Sequence, residues 1–148
     1  MPALSENLVF AINSTTDTVL LSYPNSATTP LSYISYKIKG AGYFGSSSGL
    51  HTAFWSISNF VGSILIQGSV ATDPTEQDWI TVRPSIFVNT NGFTLDTSGG
   101  VVLNTQNYNY TNPTTTAQTF NFVGNFVWVR GKVSSWTAGT VEYISINR

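Results

Sequence analysis

The side chains that could do chemistry are few and scattered. There is one histidine, His51, after a Ser/Gly stretch and followed by Thr52. A nucleophile–base pair would need a serine brought to it through space, as convergent triads do. No nucleophile elbow surrounds any serine, so His51 reads as a surface histidine without a catalytic role. Seven carboxylates are present, and of these only Asp73, Glu76 and Asp78 fall close together. Several loop oxygens could hold Ca²⁺, but the spaced Asp/Asn pattern and turn glycine of a calcium loop are missing. A solvated turn, with Asp73 bonding its own backbone ahead of Pro74, is the simpler reading. Nothing marks two carboxylates as acid and base for glycoside hydrolysis. Gly40-Ala41-Gly42 is too short for a phosphate loop and has no helix after it. Zero cysteines exclude disulfides, zinc–thiolate sites and thiol nucleophiles. The expectation is a protein that is not an enzyme, with no catalytic residue, metal or cofactor.

Aromatic residues are the richer resource: nine Phe, seven Tyr and four Trp. Most sit in strand-like patterns and read as core or cross-strand packing. Tyr108 and Tyr110 differ, because they lie in the Asn-rich tract Gln106 to Asn112. An interface, a sugar contact and plain loop packing are all open for them. Phe126 and Trp128 share a strand face with Arg130 and Lys132, opposite Val127, Val129 and Val133. A strand apolar on both faces is either central in a sandwich or meets another subunit. Tyr108, Tyr110, Phe126 and Trp128 are therefore the candidate interface residues.

The elements that must position these residues have period two. Short runs rich in Val, Ile, Phe, Tyr, Trp and Thr alternate with Gly, Pro, Asn and Ser. Strands are predicted at Leu8–Ile12, Thr18–Ser22, Ser32–Ile38, Ala53–Ser58, Gly62–Ala71 and Trp79–Val82. In Ser32–Ile38 the alternation groups Ile34, Tyr36 and Ile38 on one face. Ile86–Thr90 and Phe93–Thr97 are joined by Asn91-Gly92, a strong hairpin signal because both turn residues must take positive φ. Val101–Leu103, Thr119–Val123, Phe126–Val133 and Thr140–Asn147 follow. Gly68, mid-strand, predicts a bulge or a close approach. The tract Asn104 to Thr116 reads as a loop. These twelve candidate runs, read as about nine to eleven short strands without a helical pattern, predict one domain over residues 1–148, an all-β antiparallel sandwich of jelly-roll type. Its last strand would complete a sheet. Ile64, Ile66, Trp79, Val127 and Val129 are the expected core.

Composition agrees. Charged residues are 9% of 148 positions and the net charge is −1. Ser, Thr and Asn make up about a third of the chain and disfavour helix interiors. Six scattered basic residues give no footprint for nucleic acid and no basic run for a membrane surface. No apolar stretch reaches transmembrane length. The start, Met1 to Glu6, lacks the basic and apolar regions of a signal peptide, so synthesis in a cytoplasm is expected. Low charge suits a subunit that packs against neighbours.

Two stretches carry a resemblance. One runs Gly62-Ser63-Ile64-Leu65-Ile66-Gln67-Gly68 through Asp73-Pro74 to Gln77-Asp78-Trp79. The other is Val123-Gly124-Asn125-Phe126-Val127-Trp128-Val129-Arg130-Gly131-Lys132-Val133, with Trp136 to Val141 behind it. Together they resemble small structural proteins of tailed phages, including myoviruses of cyanobacteria. The match spans about Thr52 to Trp79 and Phe120 to Asn147, and contains no active-site signature. Ile86 to Thr116 adds nothing to it. The resemblance implies a virion β-sandwich, assembled in the host cytoplasm, with no catalytic residue to carry over. The expected role is a decoration or appendage subunit of head, neck, tail or baseplate. It would be a homo-oligomer, with a trimer the expected number, bound to other virion proteins through Phe126 and the Tyr108 region. The alternative is a carbohydrate-binding module or receptor-binding tip, with a surface glycan as ligand.

Overall fold

Alternating apolar and small polar residues extend the backbone almost everywhere. The structure, a computed structural model, is accordingly all-β, antiparallel and sandwich-like. It describes residues 4–13, 16–24, 29–45, 48–82, 93–95, 101–103 and 108–148. Their strands are β1 (Ser5–Asn7), β2 (Phe10–Asn13), β3 (Thr16–Thr18), β4 (Leu21–Ser22), β5 (Leu31–Ile34), β6 (Ile38–Lys39) and β7 (Leu50–Ser69). After a single 3₁₀ turn, Glu76–Asp78, come β8 (Ile80–Thr81), β9 (Phe93–Leu95), β10 (Val101–Leu103), β11 (Asn109–Val123) and β12 (Trp128–Asn147).

β7 and β12 are 20 residues each and pair antiparallel from Trp128↔Ser69 to Asn147↔Thr52. β6, β5, β4 and β1 follow one another along the other edge of β12. These four segments thus act as one interrupted strand beside β12, while β2 and β3 pair with each other. β11 and β8 line the other edge of β7.

This long sheet folds over on its own middle. A Cβ at Gly131 would lie 2.6 Å from Leu8 Cδ1 and 3.7 Å from Ile144 Cδ1. Thirteen residues of straight strand would separate Gly131 from Ile144 by roughly 40 Å. The two ends of β12 therefore face each other across the core, as when a strand passes between layers through bulges. In β7 the buried positions are 51, 53, 55 and 57, then 60, 62, 64, 66 and 68, with Ser69 also buried at the strand's end. The parity switches at Asn59, whose φ is 49°. In β12 buried 129, 131 and 133 give way to 136, 141, 144 and 146 across register shifts near Ser135, Gly139 and Glu142. Each extra residue keeps the same face inside while the sheet turns. The result is one hydrophobic cluster that includes Trp55, Ile57, Ile64, Ile66, Val129, Val133, Trp136 and Ile146.

Several expectations are corrected. Ala53–Ser58 and Gly62–Ala71 are one strand, and so are the last two, because bulges and not turns interrupt them. The last strand does join the main sheet, and takes its place in the middle of it, between β1 and β7. The tract read as a loop is strand from Asn109 onward. Ser32–Ile38 breaks between β5 and β6, so Ile34 and Tyr36 are exposed while Ser35 and Ile38 are buried. Of the expected core, Ile64, Ile66 and Val129 are buried, whereas Trp79 and Val127 are half-buried. Gly68 does meet a close approach: a Cβ there would lie 2.5 Å from the Phe126 ring. The Asn91-Gly92 turn and Ile86–Thr90 lie outside the described residues, while β9 and β10 pair as an antiparallel hairpin would.

The bulges of the two long strands press together. A Cβ on Gly139 would run into the Asn59 backbone, and Gly139 has φ 83°. Gly45 has φ 69° with open space around it. Gly45→Ala is expected to cost about 1–2 kcal/mol, the left-handed backbone penalty. Gly139→Ala should cost clearly more, measured by denaturant midpoints, and equal costs would disprove the close approach. Ile64→Ala or Ile66→Ala is expected to cost about 2–5 kcal/mol in the same assay.

Candidate functional site

His51 continues the inward parity of β7, so it enters the core and is not a surface histidine. Its Nδ1 lies 2.9 Å from the Gly49 carbonyl, and the Ala41 N–H donates to Nε2 at 3.0 Å. Those two bonds require the neutral ring with its proton on Nδ1. The imidazole stacks on Phe122 at 4.7 Å between centroids. Burial pushes its pKa down, opposed by the Gly49 bond and aided by the Arg148 charge. Both nitrogens are thus committed to holding the Gly40–Gly45 turn against the end of β7, and neither is available as a general base.

A second cluster sits on the outer face. Arg130, of outward parity in β12, is nevertheless buried. Its Nε donates to Gln67 Oε1 at 2.8 Å, and Nη1 and Nη2 donate to the two Glu76 oxygens at 3.1 and 3.0 Å. Trp79 covers the guanidinium, with the ring centroid 4.2 Å from Cζ. The Trp128 indole N–H donates to the Thr72 carbonyl at 2.9 Å. Asp78 accepts from the Thr75 N–H at 2.7 Å and from its hydroxyl at 2.8 Å. Arg130 holds the Glu76 carboxyl below its ordinary range, and the Thr75 bonds do the same for Asp78. Asp73 points to solvent, 3.9 Å from Lys37 Nζ. The three neighbouring carboxylates thus turn to three different partners. Among the described residues no His, Asp and Glu side chains group as metal ligands would.

The candidate interface residues separate into three places. Tyr108 and Tyr110 are half-buried where β11 begins, packed against the core. Trp55 Nε1 donates to the Tyr110 hydroxyl at 3.1 Å, and Tyr108 meets the Trp55 ring edge-on at 4.8 Å. Burial pushes the Tyr108 phenol up to about 12. Phe126 precedes β12 instead of occupying its outer face, and is 7% exposed. Its ring fills the space left by Gly68 and Gly124. Trp128 stays half-buried on the outer face, under Lys37 Nζ at 4.5 Å and beside Tyr43 at 5.3 Å.

The exposed apolar side chains lie elsewhere, and the sequence reading missed them. Tyr43 and Phe44 project from the turn that His51 holds, and Leu50 pairs with Val123 at the end of β7 and β11. Beside the turn is a cleft of about 470 Å³ lined by Gly42, Gly45, Ser48, Gly49, Val123, Gly124 and Asn125. The glycines flanking Tyr43-Phe44 were the available signal. No helix among the described residues is long and apolar enough to cross a membrane. No family model, curated protein or solved structure matches this chain.

The ordinary histidine pKa is 6.5, and the folded value of His51 is lower. Below pH 6.5 the unfolded chain therefore binds a proton that the folded ring refuses, so stability is full above 6.5 and falls as the pH drops. The lowered carboxyls act only below about 4.5, the ordinary Glu value. Stability measured by urea unfolding should thus decline between pH 7 and pH 5 in the parent chain. In His51→Phe it should be lower at pH 7 and flat across that window. An unchanged slope in the variant would assign the decline to another group.

Proposed function

We propose that this chain is a structural subunit of a tailed-phage virion, a decoration or appendage protein of head, neck, tail or baseplate. It acts by binding neighbours, including copies of itself, and not by catalysis. One observation carries the reading. The two stretches that resemble phage structural proteins, 44 positions apart in the chain, meet as a single unit. Residues 64–69 of β7 pair with 128–133 of β12. Arg130 of the second stretch grips Gln67, Glu76 and Trp79 of the first. Trp128 ties down Thr72 between them. A resemblance confined to mutually contacting residues supports a shared fold element, because the residues that define the element are those that hold it together.

The absence of catalysis is supported by how the reactive groups are used. His51, Glu76, Asp78 and Arg130 each serve a packing contact, while Tyr36, Tyr43, Phe44, Leu50 and Val123 remain exposed. Aromatic side chains exposed at a surface suit binding. The receptor-binding alternative has its own observation in the neutral cleft beside Tyr43 and Phe44. A glycan array read with the parent chain and with Tyr43→Ala tests it.

Mass spectrometry of purified particles from the phage that encodes the chain is the decisive experiment. The chain is expected at a fixed copy number per particle, and release by mild denaturation should leave the other virion proteins intact. Presence in the infected lysate with absence from particles would overturn the reading. So would a hydrolase activity that is lost in His51→Ala or Asp73→Ala.

A further inference from the structure

The outer edges of the long sheet differ in how they are covered. Four short strands follow one another along β12. β11 and β8 cover β7. β11 pairs with β7 alone, and among the described residues no strand adds to its far side. β9 pairs with β10, and β2 with β3.

Thr116 to Val123 run in unbroken register with β7, from Thr116↔Ile57 to Val123↔Leu50. The Gly124 N–H donates to the Gly49 carbonyl at 3.1 Å. Bonded pairs alternate along an antiparallel ladder, so the pairs Phe122↔His51, Gln118↔Trp55 and Thr116↔Ile57 exchange bonds with β7. Ala117, Thr119, Asn121 and Val123 therefore turn their N–H and C=O groups to the far side. Their side chains are exposed. The Ala117 carbonyl accepts from the adjacent Thr116 hydroxyl at 3.3 Å, and the Thr119 carbonyl from the adjacent Gln118 amide at 3.5 Å. Both are long contacts from the same strand.

Natural sheet edges are blunted with lysine, proline or bulges. The first half of β11 has Pro113 and two register shifts. The second half has none of these devices, and Asn109 to Val123 contains no Lys, Arg, Asp or Glu.

We propose that Thr116–Val123 is an assembly edge, at which a second copy of this chain adds its own Thr116–Val123 antiparallel across a twofold axis. The proposal rests on the structural-subunit reading and names the first contact of that assembly. A second copy is the occupant because antiparallel pairing of this edge is self-complementary. With Ala117 opposite Val123 and Thr119 opposite Asn121, outward donors meet outward acceptors on both strands. No register sets like charges against each other, since the strand carries none. Such a contact is isologous and builds a dimer or an even-numbered oligomer.

Sedimentation velocity on the full chain, across a concentration series, tests this. Thr119→Lys places two like charges near the axis, and Thr119→Pro removes one outward N–H while leaving the β7 ladder intact. The parent is expected as a dimer or even multiple. Both variants should keep the parent circular dichroism and associate roughly tenfold more weakly or worse. Hydrogen exchange provides a second readout without substitution. Amides 117, 119 and 121 should exchange slowly when concentrated and fast when diluted. A monomer at every concentration would overturn the proposal. So would an oligomer, a trimer included, whose mass neither variant changes, or rapid exchange of these amides in the assembled state. If the chain is found in particles and yet fails this test, the edge pairing is refuted and the structural-subunit reading stands.

Discussion

Two strands of 20 residues must bend at the same level, and almost every other feature follows from that. A side-chain period of two cannot turn a corner without an extra residue, because a slip of one position sends the inner face outward. Asn59 supplies that residue in β7, and the Ser134–Gly139 region supplies its counterpart in β12. Each bulge then needs room beside the other. Gly139 lets the Asn59 backbone approach, and a Cβ on Gly62 would lie 3.0 Å from Trp136 Cα. Trp136 seals the corner, with Tyr23 and Tyr33 edge-on to its ring at 5.4 and 6.0 Å. The strand beside β12 cannot follow the bend unbroken, so the N-terminal region covers that edge as β1, β4, β5 and β6.

The bend leaves each half of the sandwich with an outer face, and few charges to solvate it. Several of those charges are used within the chain. Arg130 is desolvated but bound bidentate to Glu76 and roofed by Trp79, which is the condition under which a buried cation is tolerable. Arg148 pairs with Glu6 at 2.8 Å and lies over Phe44. His51 does the same work without charge, joining a glycine-rich turn to β7 through two neutral hydrogen bonds. His51 and Glu76 are thereby held as structural ties.

What was legible in the sequence follows from this geometry. The alternation gave the fold class and most of the core, because inward parity is a local property. The long strands were not legible as such, since Asn59, Gly62 and Gly139 are the same residue types that end strands at turns. Whether such a residue bulges or turns is decided by the strand across from it. The start of β11 was hidden because Asn and Thr carry little strand signal, and its pairing to Ser63 and Gly62 lies far off in sequence. His51 was partly legible, since it shares parity with Ala53, Trp55 and Ile57. The Phe126 position was not, because it depends on Gly68 and Gly124 jointly leaving a hole. The Asp73–Asp78 turn was legible as a turn, while its anchor, Arg130, sits 54 positions beyond Glu76.

Low charge bears on the proposed pairing between copies of the chain. The ion pairs Arg130–Glu76, Arg148–Glu6 and Lys37–Asp73 neutralise much of the charge internally. With a net charge of −1, there is little long-range field to repel or steer a neighbour. In the proposed pairing, recognition would then rest on short-range terms, namely apolar contact and directional hydrogen bonds. Backbone groups at a strand edge are strong directional donors and acceptors, and they act in fixed alternation. Thr and Asn side chains on the exposed face of β11 keep that edge soluble without blocking it, as lysine would. Uncharged Thr and Asn on β11, in place of the lysine that blunts natural edges, are what the proposed edge pairing requires.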